Sequence, residues 1–99
     1  MTYTDFNFRR EIVALTKAQI AANIAAAPMP DGWTAAHDVA LWNDLYLGLR
    51  LDAIADRIGQ MDQAVSDRFK ALKEASGAVG RAMTIEEQRA VLEIVRGRA

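Results

Sequence analysis

Hydrophobic positions recur with a helical period along nearly the whole chain, and strand-like alternation is almost absent. From Asp5 to Ala27 the sequence reads DFNFRREIVALTKAQIAANIAAA. Phe8, Ile12, Leu15, Gln19 and Ala22 fall on one stripe of a long N-terminal helix, with Val13, Ile20 and Ile24 beside it. Asp5 suits the helix start, and Pro28 and Pro30 stop it, because proline disfavours helical geometry in the preceding residue. PMPDG (Pro28 to Gly32) is then a turn-rich connector. A second helix is predicted from Thr34 to about Leu47, with Thr34 as cap and Val39, Leu41, Trp42, Leu45 and Tyr46 as its apolar face. Gly48 ends it. A short third helix covers Leu51 to Ile58 and closes at Gly59, and a fourth covers Asp62 to about Ala75. SGAVG (Ser76 to Gly80) reads as a linker. A fifth helix opens at TIEE, where Thr84 and Glu87 have capping-box spacing. Ile85, Val91, Leu92 and Val95 give it a partial apolar face. No internal repeat or low-complexity block is visible.

The pattern divides 99 residues into an N-terminal helix (1–30), a central segment (31–76) and a linker with a C-terminal helix (77–99). That is one domain's worth of chain. Without cysteine, the fold rests on packing alone. No apolar run approaches the roughly 18 residues of a membrane span. The start, MTYTDFNFRR, has acid and aromatics before its arginines, the wrong order for a secretory signal, so the expected setting is cytoplasmic. Abundant alanine, with more arginine than lysine, is compatible with a GC-rich bacterial genome. Net charge is −1. Residues 1–30 carry three bases and two acids, residues 31–76 five bases and eight acids, and residues 77–99 four bases and three acids. The acidic middle opposes strong non-specific DNA binding, which depends on cations at phosphates.

Ile54 to Phe69, IADRIGQMDQAVSDRF, contains two amphipathic runs broken at Gly59. A glycine there can adopt the left-handed conformation that closes one helix and redirects the chain. Ala55 is small enough for a close helix crossing. Ile54, Ile58, Val65, Phe69 and Leu72 would pack against the preceding helix, and the outer face of the last helix would be free for a major groove. This is a helix-turn-helix arrangement. GWTAAHDVALWNDLYLGLRLDAIADRIGQMDQAVSDRFKAL also resembles the Myb/SANT and GcrA-like group of homeodomain-like domains. The resemblance lies in Trp33, Thr34, Asp38, Leu41, Gly48, Ile54, Ala55, Ile58, Gly59, Ala64, Val65, Arg68 and Phe69, across about 40 residues, less than half the chain. It implies an all-α fold: a tri-helical helix-turn-helix core flanked by a long N-terminal helix and a C-terminal helix. Arg50 and Met61 stand where such domains usually cap a helix with serine or threonine. Asp52 and Asp62 can compensate electrostatically. Asp67 falls where related domains often place a base-contacting residue. An aspartate there can accept from cytosine N4 and also repels phosphate.

Gln63, Ser66, Asp67 and Lys70 are the candidate base contacts, with a merely solvated helix face as the alternative. Arg50, Arg57, Arg68 and Lys73 are the candidate phosphate contacts. For Arg68 and Lys73 the alternative is a salt bridge to Asp62, Asp67 or Glu74 on the same helix. His37, the sole histidine, reads as a surface residue near a helix start, and Asp38 and Asp44 form no recognised ligand set with it. Ser66 and Ser76 suggest no nucleophile–base pair, and the glycines form no phosphate-cradling loop. No enzymatic activity, metal or cofactor is expected. Trp33, Trp42 and Tyr46 read as core aromatics. Phe6 and Phe8 either dock the first helix or form part of an interface.

The resulting expectation is a sequence-specific transcription regulator, bacterial or phage-borne, that binds double-stranded DNA through residues 62–75. A small reader with so poor a basic balance would bind weakly and needs a second subunit or a partner. The options are a homodimer through the N-terminal helix or, as the GcrA resemblance implies, RNA polymerase or its sigma factor. Two alternatives are a SANT-like protein-interaction module and a phage-type DNA-packaging component.

Overall fold

The computed structural model describes residues 14–99 and is all-helical over that range, with five helices and no strand among the described residues. They are α1 (Lys17–Ala26), α2 (Ala35–Tyr46), α3 (Leu51–Ile58), α4 (Asp62–Ala75) and α5 (Ile85–Arg98).

Local chemistry explains each boundary. α1 begins later than the apolar pattern predicts. Thr16 is its N-cap and forms a capping box with Gln19: Gln19 N–H donates to Thr16 Oγ1, and Thr16 N–H donates to Gln19 Oε1. Ala14 and Leu15 therefore lie outside the helix, and the expected turns over residues 5–13 lie outside the described residues. The box fixes Gln19 on the solvent side. The stripe that α1 buries is Ile20 and Ile24, not the Gln19–Ala22 side. Ala27, just before Pro28, is extended at φ −76° and ψ 125°, as a following proline requires.

α2 is capped by Thr34, and its box partner is His37. His37 Nδ1 accepts from Thr34 N–H at 3.0 Å, and Thr34 Oγ1 accepts from His37 N–H at 3.2 Å. The histidine expected on the surface is instead half-buried, 5.3 Å from the Trp33 ring. α3 ends at Gly59, φ +71°, and Gln60 N–H then returns to Ala55 O. Neither α3, with Arg50 at its N-cap, nor α4, with Met61, has a side-chain cap. Asp52 and Asp62 occupy their first turns instead. The segment after α4 is more than a linker. Ser76 and Ala78 are fully buried, Lys73 Nζ donates to Ala78 O at 2.7 Å, and Ser76 Oγ donates to Lys73 O at 2.6 Å.

All five helices share one core. α2 packs most extensively on α5, α3 packs on α2 and α4, and α1 lies against α4 and α5. Ile20, Ile24, Leu41, Trp42, Ile54, Val65, Leu72, Val91, Leu92 and Val95 form the apolar centre. Burying one such aliphatic side chain contributes about 1.5–3 kcal/mol. Trp42 is fully buried and stacks on Phe69 of α4 with ring centroids 5.7 Å apart. Tyr46, expected in the core, is 39% exposed, and its hydroxyl accepts from Arg89 at 3.2 Å. Arg96 donates to Asn43, so α5 runs antiparallel to α2. Ile85, expected on the apolar face of α5, is also exposed, and Ile94 takes the buried place.

α5 starts on an ion pair. Glu87, its box residue, accepts from Arg81 at 2.6 Å and 2.9 Å and from Thr84 N–H at 2.8 Å. The Arg81 guanidinium, assisted by Thr84, lowers the Glu87 pKa from its ordinary 4.5 to about 2. The stability from this pairing is fully present above the unfolded value and is lost as pH falls through the folded one. Unfolding free energy should thus decline between about pH 4.5 and 2, and Arg81→Ala should flatten that part of a urea-denaturation pH profile. At Gly59 an added Cβ would meet nothing within 4 Å, so the cost of Gly59→Ala is backbone strain alone. Denaturant unfolding should show a loss of about 1–2 kcal/mol.

Candidate nucleic-acid interface

α4 divides its residues cleanly between two faces. Val65, Arg68 and Leu72 are buried, with Phe69 half-buried beside them. Gln63, Ser66, Asp67 and Lys70 are all exposed, and together they form the outer face. Gln63 Nε2 donates to Asp67 Oδ1 at 2.7 Å. The structure thus brings all four candidate base contacts to one side of one helix.

The four candidate phosphate contacts separate. Arg50 is open, its side chain 85% exposed, with loose contacts to neighbouring Asp52. Arg57 is 62% exposed, and its Nε donates at 2.9 Å to Asp44 Oδ2, whose side chain is only 7% exposed. Its two terminal nitrogens make no hydrogen bond among the described residues. Lys73 is half-buried and turned onto Ala78 O, away from the outer face.

Arg68 requires a correction: it is a core residue, not a surface cation. Its side chain is 1% exposed, and its partner lies on α2 rather than on α4. Arg68 Nε donates to Asp38 Oδ1 and Nη2 to Asp38 Oδ2, both at 2.8 Å, while Nη1 reaches Pro28 O. Asp38 Oδ1 also accepts from Trp33 Nε1 at 2.7 Å. The carboxylate is thereby held by three N–H groups, which is what burial of a charge demands. The sequence contained a signal for this. Arg68 lies three residues after Val65 and four before Leu72, on the apolar stripe, where a charge has to find a buried partner. Asp38 and Asp44 are the residues that sequence reasoning did not assign, and each fixes an arginine.

An open groove of about 510 Å³ adjoins the outer face, lined by Leu49, Arg50, Leu51, Asp52, Asp62 and Ser66. The uncapped starts of α3 and α4 both border it. Its charge is mixed: one arginine faces two aspartates. Among the described residues, no three His, Cys, Asp or Glu side chains come together as a metal site, and no helix is long and apolar enough to cross a membrane. No family model matches the chain, and neither curated proteins nor solved structures provide a match.

The Arg68–Asp38 latch sets a stability prediction. Arg68→Met leaves a buried, unbalanced carboxylate and should cost about 3–5 kcal/mol, whereas Arg68→Met combined with Asp38→Asn should recover part of that loss. Chemical denaturation of the two single variants and the double variant measures the coupling.

Proposed function

We propose that α2–α4 act as a helix-turn-helix reader and that the protein binds double-stranded DNA sequence-specifically to regulate transcription, with α4 in the major groove. One observation carries this reading. α4 offers an unbroken polar outer face, Gln63, Ser66, Asp67 and Lys70, while its other side is locked to α2 through Arg68 and Phe69. A rigid helix with side chains able to meet base edges is what direct readout requires. The turn at Gly59 supports it by letting α3 cross behind α4 without covering that face.

The phosphate grip in this reading falls to Arg50 and Arg57, together with backbone N–H groups at the starts of α3 and α4. Asp44 would hold Arg57 by its Nε and leave the terminal nitrogens for a phosphate. Lys73, tied to Ala78 O, adds long-range attraction at most. With so few cations the single module binds weakly. Regulation therefore calls for a second reader, either through dimerisation or through docking on RNA polymerase or its sigma factor.

A second reading rests on charge. The exposed part of α4 carries Asp62, Asp67 and Glu74 against Lys70. That balance suits a basic protein partner, as in an interaction module. The two readings diverge in salt. Duplex binding followed by fluorescence anisotropy should weaken steeply between about 50 and 200 mM salt, with log affinity falling linearly in log concentration. The variant Gln63→Ala/Ser66→Ala/Asp67→Ala/Lys70→Ala should lose sequence preference without losing thermal stability. Salt-insensitive binding, or none, would favour the protein-binding alternative.

A further inference from the structure

The outer face of α4 carries a donor–acceptor order that composition alone conceals. Gln63 and Asp67 stand one helical turn apart, and the Gln63 amide donates to Asp67 Oδ1 at 2.7 Å. That bond turns one N–H of the Gln63 amide along the helix surface toward Asp67. Free glutamine reads adenine by pairing Nε2–H with N7 while its oxygen accepts from N6. With one of its two Nε2 hydrogens committed to Asp67, Gln63 has only the other for N7, and the Asp67 bond restrains the amide from turning to make both adenine contacts. What the pair offers outward is chiefly oxygen: Asp67 Oδ2 and Gln63 Oε1, neither of which accepts a hydrogen bond among the described residues.

Of the four bases, only cytosine presents a donor and no acceptor to the major groove. Adenine sets N7 beside its amino group, guanine shows N7 and O6, and thymine shows O4 and a methyl group. A carboxylate flanked by an amide oxygen therefore matches cytosine N4–H, is compromised by adenine N7, and is repelled by guanine and thymine. Lys70 follows Asp67 by three residues, about 4.5 Å along the helix axis, which is roughly one to two base steps. Its ammonium has only donors, and guanine O6 and N7 are the acceptors that suit it.

Building on the reading that α4 enters the major groove, we infer that Asp67, oriented by Gln63, selects cytosine through its N4 amino group, and that Lys70 takes a guanine beside it. The negative charge is then a specificity element. It weakens the hold on DNA in general and repays that cost only at the right base. The acidity of the reading face follows from this role.

Selection of duplexes from a random pool at moderate salt, carried out with the wild type and with Asp67→Ala, Gln63→Ala and Lys70→Ala, tests the assignment. The wild type should enrich a site with a fixed cytosine near a fixed guanine. Asp67→Ala should lose about tenfold of preference at the cytosine alone, the scale of one base-edge contact, while its affinity for unselected duplex rises several-fold. Lys70→Ala should relax the guanine and leave the cytosine. Gln63→Ala should weaken the cytosine preference less than Asp67→Ala does. An enriched site that Asp67→Ala leaves unchanged would overturn this assignment and leave DNA reading intact. Failure of the wild type to enrich any site or to bind duplex would overturn both. All three positions are exposed, and matching circular dichroism melts would establish that the variants fold alike.

Discussion

Arg68 and Asp38 are two charges taken out of water, and the arrangement of α2 and α4 follows from how they are satisfied. Desolvating such a pair costs several kcal/mol per ion, and only close, multiple hydrogen bonds offset it. Here the carboxylate receives two N–H groups from the guanidinium and one from the Trp33 indole, and the guanidinium spends its remaining reach on Pro28 O. These bonds join the connector after α1, the first turns of α2 and the middle of α4. Small rotations of α4 would break two bonds at once. An apolar contact such as Trp42 on Phe69 tolerates sliding, but a bidentate ion pair does not. The latch therefore sets the rotational position of α4, and with it the direction in which Gln63, Ser66, Asp67 and Lys70 point.

Most of the cations around α4 are engaged within the protein itself. Arg68 is consumed inside the core, Lys73 by the loop at Ala78, and Arg57 partly by Asp44. Arg50, its side chain 85% exposed, and Lys70 on the outer face itself are left open. Such a surface attracts a polyanion feebly. In the proposed reading, discrimination rests on the few contacts at base edges, and affinity has to come from a partner or a second copy.

Much of the fold was legible because punctuation in this chain is chemical. Gly59, Gly48 and the two prolines mark stops that periodicity alone would blur, and α3 and α4 fall where those residues place them. The late start of α1 was not legible, because the apolar stripe continues through Leu15 while the Thr16–Gln19 box overrides it. The His37 cap was missed for a related reason: a ring nitrogen performs the task usually given to a glutamate. In the candidate site, the membership of the outer face could be read from spacing, since exposure on a helix follows its period. The fate of each arginine could not. It depends on Asp38 and Asp44, which come close only after folding. Tyr46 was misassigned because an aromatic at the end of α2 has a polar tip that Arg89 holds at the surface.

The antiparallel packing of α5 on α2 bears on how the nascent polypeptide matures. The pairs Asn43–Arg96 and Lys17–Glu93 close loops of more than half the chain, so the flank of α2 that packs on α5 stays bare until α5 has been synthesised. The latch to α4 spans a much shorter stretch and can close first. Emergence from the ribosome would then yield a partly assembled bundle with an uncovered apolar flank, and α5 would act as the cover that protects it from aggregation.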